Sequence, residues 1–336
     1  MSSQIIYNLP PERIALEPVR PRHQSRLLVL NLTNLKLEDK KFADIGNYLR
    51  SGDVIAVNNS QVISARLYGR KETGGQVEFL LLEKKDTGLW EAMGRPAARI
   101  KEGTFIEVGP ENFRRKILVK EKKERGFFLL ETPEDILKAG SIPLPPYIEK
   151  RRPVNEKDSS DYQTLFAKKA GSVAAPTASL HFTEELVEEL KKAGVSFAPL
   201  TLYVGPGTFM PSEKPAPELY EFSKVSAEKL SKASRVCVCG TTVMRTLETV
   251  WANNKAYREE KGQTELFIKR GHRFRSADIF LTNFHLPSTP LLELVAAYIE
   301  NYKPGQGEEI LLKAYAEAIR KEYRFLSYGD AMLILP

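Results

Sequence analysis

Between Ala65 and Thr132 apolar and polar residues alternate in short bursts: ARLYGRK, QVEFLLLE, LWEAMGR, TFIEVG, KILVKEK and GFFLLET. Period-two runs punctuated by glycine and charged turns are strand signals, and no helix-period stretch lies between them. Six such runs at near-even spacing predict a small barrel or sandwich. A short helix over 133–139 and the stiff PLPPYI segment close that unit. Pro143, Pro145 and Pro146 remove backbone donors there and fix an extended path.

The pattern changes beyond Asp158. It predicts helices over 184–193, 225–233, 241–251, 290–298 and 308–322, and strands over 196–204, 235–239, 265–269 and 278–283. Helix–strand alternation of this kind indicates a layered α/β sheet. A strand over 52–58 and a helix over 42–49 read as part of the same layer. The fold class is therefore α/β. Residues 1–62 and 151–336 form a discontinuous α/β domain, and 63–150 an inserted, small β-barrel-like domain.

The chain has 336 residues, 42% hydrophobic and 28% charged, enough for two domains. No apolar run approaches the length of a membrane span, and no secretory apolar core opens the chain. Cys237 and Cys239 share one strand face in RVCVCG, too close for a usual structural disulfide, so a reducing cytoplasm is expected. The net charge of +7 permits a polyanionic partner. Basic residues crowd two segments: Arg114, Arg115, Lys116, Lys120, Lys122, Lys123 and Arg125, then Lys150, Arg151 and Arg152.

Candidate chemistry concentrates in three irregular runs. The first, GSVAAPTASLHFT at Gly171–Thr183, is a tight small-residue loop. It delivers His181 to a helix start capped by Thr183, where amides and dipole can hold an anion. The others are LTNFHLP at Leu281–Pro287 and YRFLSYGDAM at Tyr323–Met332. His181 and His285 each lie at the edge of a regular element and are the leading acid–base candidates; either could instead tie down its own loop. His23 and His272, in basic surroundings, read as surface residues. A zinc site from His181, His285, Cys237 and Cys239 lacks ligand spacing, so no metal is expected.

These three runs, with YNLPPERIALEP, SRLLVL, GDVIAVN, ARLYGRKETGGQVEFLL, GSIPLPPYI, DYQT, TLYVGPGTF and GTTVMRTLE, resemble the S-adenosylmethionine:tRNA ribosyltransferase-isomerases of queuosine biosynthesis nearly end to end. The resemblance implies the same two-domain plan and S-adenosylmethionine as co-substrate. It implies transfer and isomerisation of that molecule's ribosyl moiety onto a 7-aminomethyl-7-deazaguanine at the wobble position of tRNA. Adenine and methionine leave, and epoxyqueuosine remains. Such chemistry needs a base beside the sulfonium, assistance to adenine departure and a neutral amine.

On this resemblance His181, His285 and Asp330 are the catalytic candidates. Arg26, Arg66, Arg245 and Arg324 are expected to bind phosphate or the methionine carboxylate. Thr73, Gly74, Gly75, Pro176, Thr177, Thr183, Gly205, Gly207, Thr208, Asn283 and Tyr328 complete the expected substrate-binding set. The expected partner is that tRNA, with no membrane, and the expected state a monomer. The chain departs from the family pattern at Asn59, Gln61, Ser64, Ser179, Tyr203 and Glu293, and lacks the histidine of the stretch, usually MHSE, that in the family follows shortly after Phe209. A diverged, non-catalytic tRNA- or nucleoside-binding homologue is the alternative.

Overall fold

The computed structural model describes residues 5–208 and 216–336. The expected histidine-bearing stretch after Phe209 falls partly outside them. Four parallel strands form the centre of a nine-stranded sheet, in the spatial order Ser196–Leu202, Val54–Asn58, Val236–Cys239 and Ile279–Asn283. Strand Ala331–Leu335 runs antiparallel beside the last of these and is followed by Arg26–Asn31 and Lys36–Lys41; Glu218–Phe222 and Glu260–Thr264 extend the opposite edge. The central strands are almost wholly apolar (VIAVN, VCVC, IFLTN), as strands covered on both faces must be. One face packs against Phe42, Phe182 and helix Glu184–Lys192; the other packs against helices Thr241–Asn254, Pro290–Tyr302 and Gly307–Arg320.

All six short alternating runs become strands of one closed antiparallel barrel: Arg66–Lys71, Gln76–Asp86, Leu89–Arg95, Phe105–Val108, Arg115–Lys122 and Phe127–Glu131. In sequence they lie between Val54–Asn58 and Ser196–Leu202, which are neighbours in the large sheet. Closure removes the edges that six short strands would otherwise expose. Inward residues such as Phe79, Ala92, Val119 and Phe128 are fully buried, with Phe79 edge-on to Phe128 at 5.8 Å.

Three elements differ from expectation. The strand predicted over 265–269 lies one step earlier, at Glu260–Thr264, where the polar run EKGQT pairs with Glu218–Phe222. The apolar residues after it are used differently: Ile268 is buried, and the Leu266 carbonyl accepts from Arg245 Nε rather than from a ladder. Phe42–Tyr48 and Ile136–Ala139 are 3₁₀ rather than α-helical, each too short to repay α nucleation. The two cysteines are buried in one core cluster, as alternation implies.

Phe128→Ala should cost about 3–5 kcal/mol, the usual result of emptying a fully buried aromatic site. Denaturant unfolding measures it. A loss below about 1 kcal/mol would show that the barrel interior is not close-packed.

Candidate functional site

The carboxyl ends of the four central strands point to the same end of the sheet as the amino ends of Ala331–Leu335 and Arg26–Asn31, because Asn283 pairs with Ala331 and Ala331 with Leu27. Ligand crevices in open α/β sheets form at such strand ends. The Gly171–Thr183 loop lies across this end. It begins as a short strand, Lys169–Ser172, paired with Ser60–Val62, and Val173 N donates to the Val204 carbonyl. Ser179 Oγ reaches Cys239 Sγ at 3.3 Å. Gly240 adopts φ +92°, and a Cβ there would come within 3.3 Å of Ala178, so this turn needs glycine.

His181 is 4% exposed at the centre of this end. Its Nδ1 lies 2.8 Å from Ser25 Oγ, its Nε2 3.5 Å from Asn283 Nδ2, and its ring stacks on Phe42 at 4.9 Å. Burial pushes its pKa down to about 3, helped by the positive charges of Arg22 and Arg324. The imidazole is therefore neutral at physiological pH. Asn283 Nδ2 also donates to the Leu326 carbonyl at 3.1 Å, which fixes the amide orientation. Its Oδ1 is buried with no partner among the described residues.

His285 is not brought to this cluster. Alternate residues of a strand face opposite sides, and Ile279 and Leu281 pack with Phe42 while Phe280 packs with the helices. Asn283 follows the first set and Thr282 the second. His285 Nε2 lies 2.9 Å from Thr282 Oγ1, and its backbone engages Tyr7 and Tyr315, both on the helix side. Desolvation lowers its pKa to about 4. The two histidines thus make their contacts on two faces of one strand end.

Asp330 is 1% exposed, and both its oxygens are engaged by backbone: Arg26 N at 2.8 Å and Arg324 N at 2.7 Å. Burial raises its pKa. It is a clamp between two segments, not a carboxylate presented to a ligand. Arg324 donates to the Glu17 carbonyl and is half-buried close to His181. Arg26 stacks on Tyr323 at 3.8 Å and pairs with Asp39. Tyr328 is buried edge-on to Tyr162 at 5.9 Å, beside Asp158, Asp161, Arg152 and Arg22. Pro176 is buried and Thr177 opens a 3₁₀ turn in the same loop as His181.

Other expected residues lie elsewhere. Arg245 is 5% exposed and forms a buried ion pair with Glu218, whose other oxygen accepts from Gly205 N at 2.9 Å. It anchors the Gly205–Gly207 loop instead of meeting solvent anions. Thr208 ends that loop's 3₁₀ turn. Tyr203, one of the departures, lies against Gly171, where a Cβ would meet its ring at 2.8 Å. Thr73, Gly74 and Gly75 form the exposed tip of a barrel hairpin, with Gly74 at φ +85°. Arg66 sits at the barrel mouth with Glu149 and Glu78. Thr183 caps its helix through Leu186 N and also meets His23 Nδ1 at 2.9 Å.

His23 is thus half-buried, and His272 bonds Glu248 at 3.0 Å; neither is a plain surface residue. Ser25, Phe42 and Arg22 were not singled out by sequence, although Ser25 opens the SRLLVL motif. Half of the basic residues in the two segments are paired with carboxylates in place. Arg115 pairs with Asp135, Lys116 with Glu72, Lys120 with Glu131, Lys123 with Glu91 and Arg152 with Asp158.

The fold defines an α/β protein carrying a closed barrel, with a buried polar cluster at the strand ends of its main sheet. A family profile described as queuosine biosynthesis protein matches residues 2–334, and the chain belongs to that family. The S-adenosylmethionine:tRNA ribosyltransferase-isomerase of Thermotoga maritima is 43% identical to it over 99% of both chains. That of Aquifex aeolicus is 43% identical over 98% of each. The crystal structure of the S-adenosylmethionine tRNA ribosyltransferase from Thermotoga maritima matches with a TM-score of 0.57 at 35% identity, covering 99% of this chain and 100% of that one.

The depressed histidine pKa values set a pH dependence. From pH ~6.5 down toward the folded values near 4 and 3, the unfolded chain takes up protons that the folded one refuses. Stability is fully present above ~6.5 and falls with pH at up to about 1.4 kcal/mol per unit for each histidine. His181→Gln should flatten that slope between pH 6.5 and 5, above the main carboxylate range. Identical slopes for variant and parent, by denaturant titration, would contradict a neutral buried His181.

Proposed function

We propose that this protein transfers the ribosyl moiety of S-adenosylmethionine to the aminomethyl group of 7-aminomethyl-7-deazaguanine at the tRNA wobble position and isomerises it, releasing adenine and methionine. The observation that carries this reading is the 43% identity over 99% of both chains to an enzyme named for that transfer. The geometry adds a buried, uncharged imidazole at a strand-end crevice. Burial keeps His181 uncharged throughout the neutral range, able to accept a hydrogen bond where an imidazolium cannot, although the same depressed pKa makes it a weak base. In this reading 1–62 and 151–336 form the unit holding that crevice, and 63–150 the barrel unit that meets RNA. The protein acts as a cytoplasmic monomer.

Purified protein should release adenine and methionine from S-adenosylmethionine only with tRNA bearing the aminomethyl-deazaguanine. Tight binding of that tRNA by folded protein without turnover would overturn the transferase reading. His181→Ala should lower adenine release by about 100-fold or more while the protein stays folded. A variant that unfolds would instead assign His181 to the packing of Phe42 and Ser25.

A further inference from the structure

Where the barrel meets the PLPPYI segment, a cavity of 220 Å³ is lined by Arg66, Glu78, Leu80, Met93, Arg95, Pro146, Glu149 and Lys150. None of these residues belongs to the His181 cluster. Leu80, Met93 and Pro146 give it an apolar wall. Glu78 and Glu149 converge on Arg66, which is 6% exposed and lies 3.4 Å from Glu78 Oε1 as well as against Glu149 Oε2. One guanidinium thus stands between two carboxylates. Glu149 Oε1 is buried without a partner among the described residues, and burial raises this carboxyl's pKa. Arg95 and Lys150 are exposed at the rim.

Each part of this lining matches one part of a nucleotide. The apolar wall suits the face of a heterocycle, and the cavity far exceeds the ~30 Å³ share of one water. Carboxylate oxygens accept N–H donors and reject edges made of acceptors. A guanine-type edge offers adjacent ring N–H and amino donors, more than other bases present. A cationic side arm adds further donors. Rim cations suit the flanking phosphates. Single-stranded RNA is read in this way, by splaying a base into a pocket.

We propose that this cavity is the binding pocket for the acceptor base, a guanine-type heterocycle with a cationic aminomethyl arm, with Glu78 and Glu149 receiving its N–H donors. The proposal rests on the transferase reading for the identity of that base. The pocket is coupled to the crevice: helix Pro146–Glu149 lines it with Pro146 and Glu149, while Tyr147 on the same turn reaches the C-terminal motif, its hydroxyl meeting Ser327 Oγ and accepting from Ser327 N at 3.1 Å. An occupant therefore bears on the turn that holds Ser327 and Tyr328.

The test is equilibrium binding of an anticodon stem-loop RNA carrying 7-aminomethyl-7-deazaguanine at the wobble position, beside the same RNA carrying guanine. Glu78→Gln, at a half-exposed position, and Glu149→Gln should each weaken the modified RNA by tenfold or more and the guanine RNA by less. Met93→Trp, which fills the cavity, should weaken the modified RNA comparably at an unchanged melting temperature. Unchanged affinity in folded Glu78→Gln protein, or equal weakening of both RNAs, would overturn the pocket assignment. Binding that depends on Glu78 in a parent protein without turnover would support the pocket and refute the transferase reading.

Discussion

The polar cluster at the strand ends depends on one buried carboxylate. Asp330 receives Arg26 N and Arg324 N, so it joins the start of an inner strand to the C-terminal motif, 304 residues away in sequence from the first. Ser25, beside Arg26, presents its hydroxyl to His181 Nδ1. Leu326, two residues beyond Arg324, presents its carbonyl to Asn283, which faces His181 Nε2. Both polar neighbours of the imidazole are thus set by segments held on the same carboxylate. A buried carboxylate is tolerated only when its oxygens are satisfied, and the two amides supply that. Losing either amide contact would release one side of the histidine's surroundings.

Charge is handled locally throughout. The net charge of +7 suggested basic faces, yet about half of the barrel's cations meet a neighbouring carboxylate or a carbonyl, as Lys122 meets Ala97 and Ile100. Exposed pairs of this kind contribute little to stability. Their effect is on the field, which they flatten, so that unpaired rim cations such as Arg95 and Lys150 stand out. The buried pair Arg245–Glu218 does different work. It carries Gly205 and Leu266 on its spare groups and thereby shapes two irregular segments. Removing one partner would strand a buried charge, a far larger penalty than the pair's own attraction.

Much of the fold was legible because its strongest signals are local. The barrel strands alternate cleanly, since one face of each fills the interior, and the helices beyond Glu184 carry caps such as Thr183, Ser223 and Thr289 that mark their starts. Glu260–Thr264 was missed because an edge strand needs no apolar side; EKGQT is a strand only through its pairing with Glu218–Phe222. The site was legible in part. A small-residue loop ending in histidine announces itself, but Ser25 meets His181 across 156 residues, and no local pattern encodes that. His285 misled for the opposite reason. Its motif adjoins Asn283, yet the strand ends at Asn283, and beyond that end the His285 ring turns back onto Thr282 Oγ1 on the opposite face.

The hydrogen bonds around His181 also decide which nitrogen carries its proton. Asn283 Nδ2 is turned toward the Leu326 carbonyl, so a donor rather than an acceptor faces His181 Nε2. The lone pair therefore belongs on Nε2 and the proton on Nδ1, donated to Ser25 Oγ. Protonating Nε2 would set two N–H groups face to face in a site already near Arg22 and Arg324. Neutrality is thus enforced by hydrogen-bond direction as well as by burial. The Nε2–Asn283 contact, at 3.5 Å, is the weakest in the cluster.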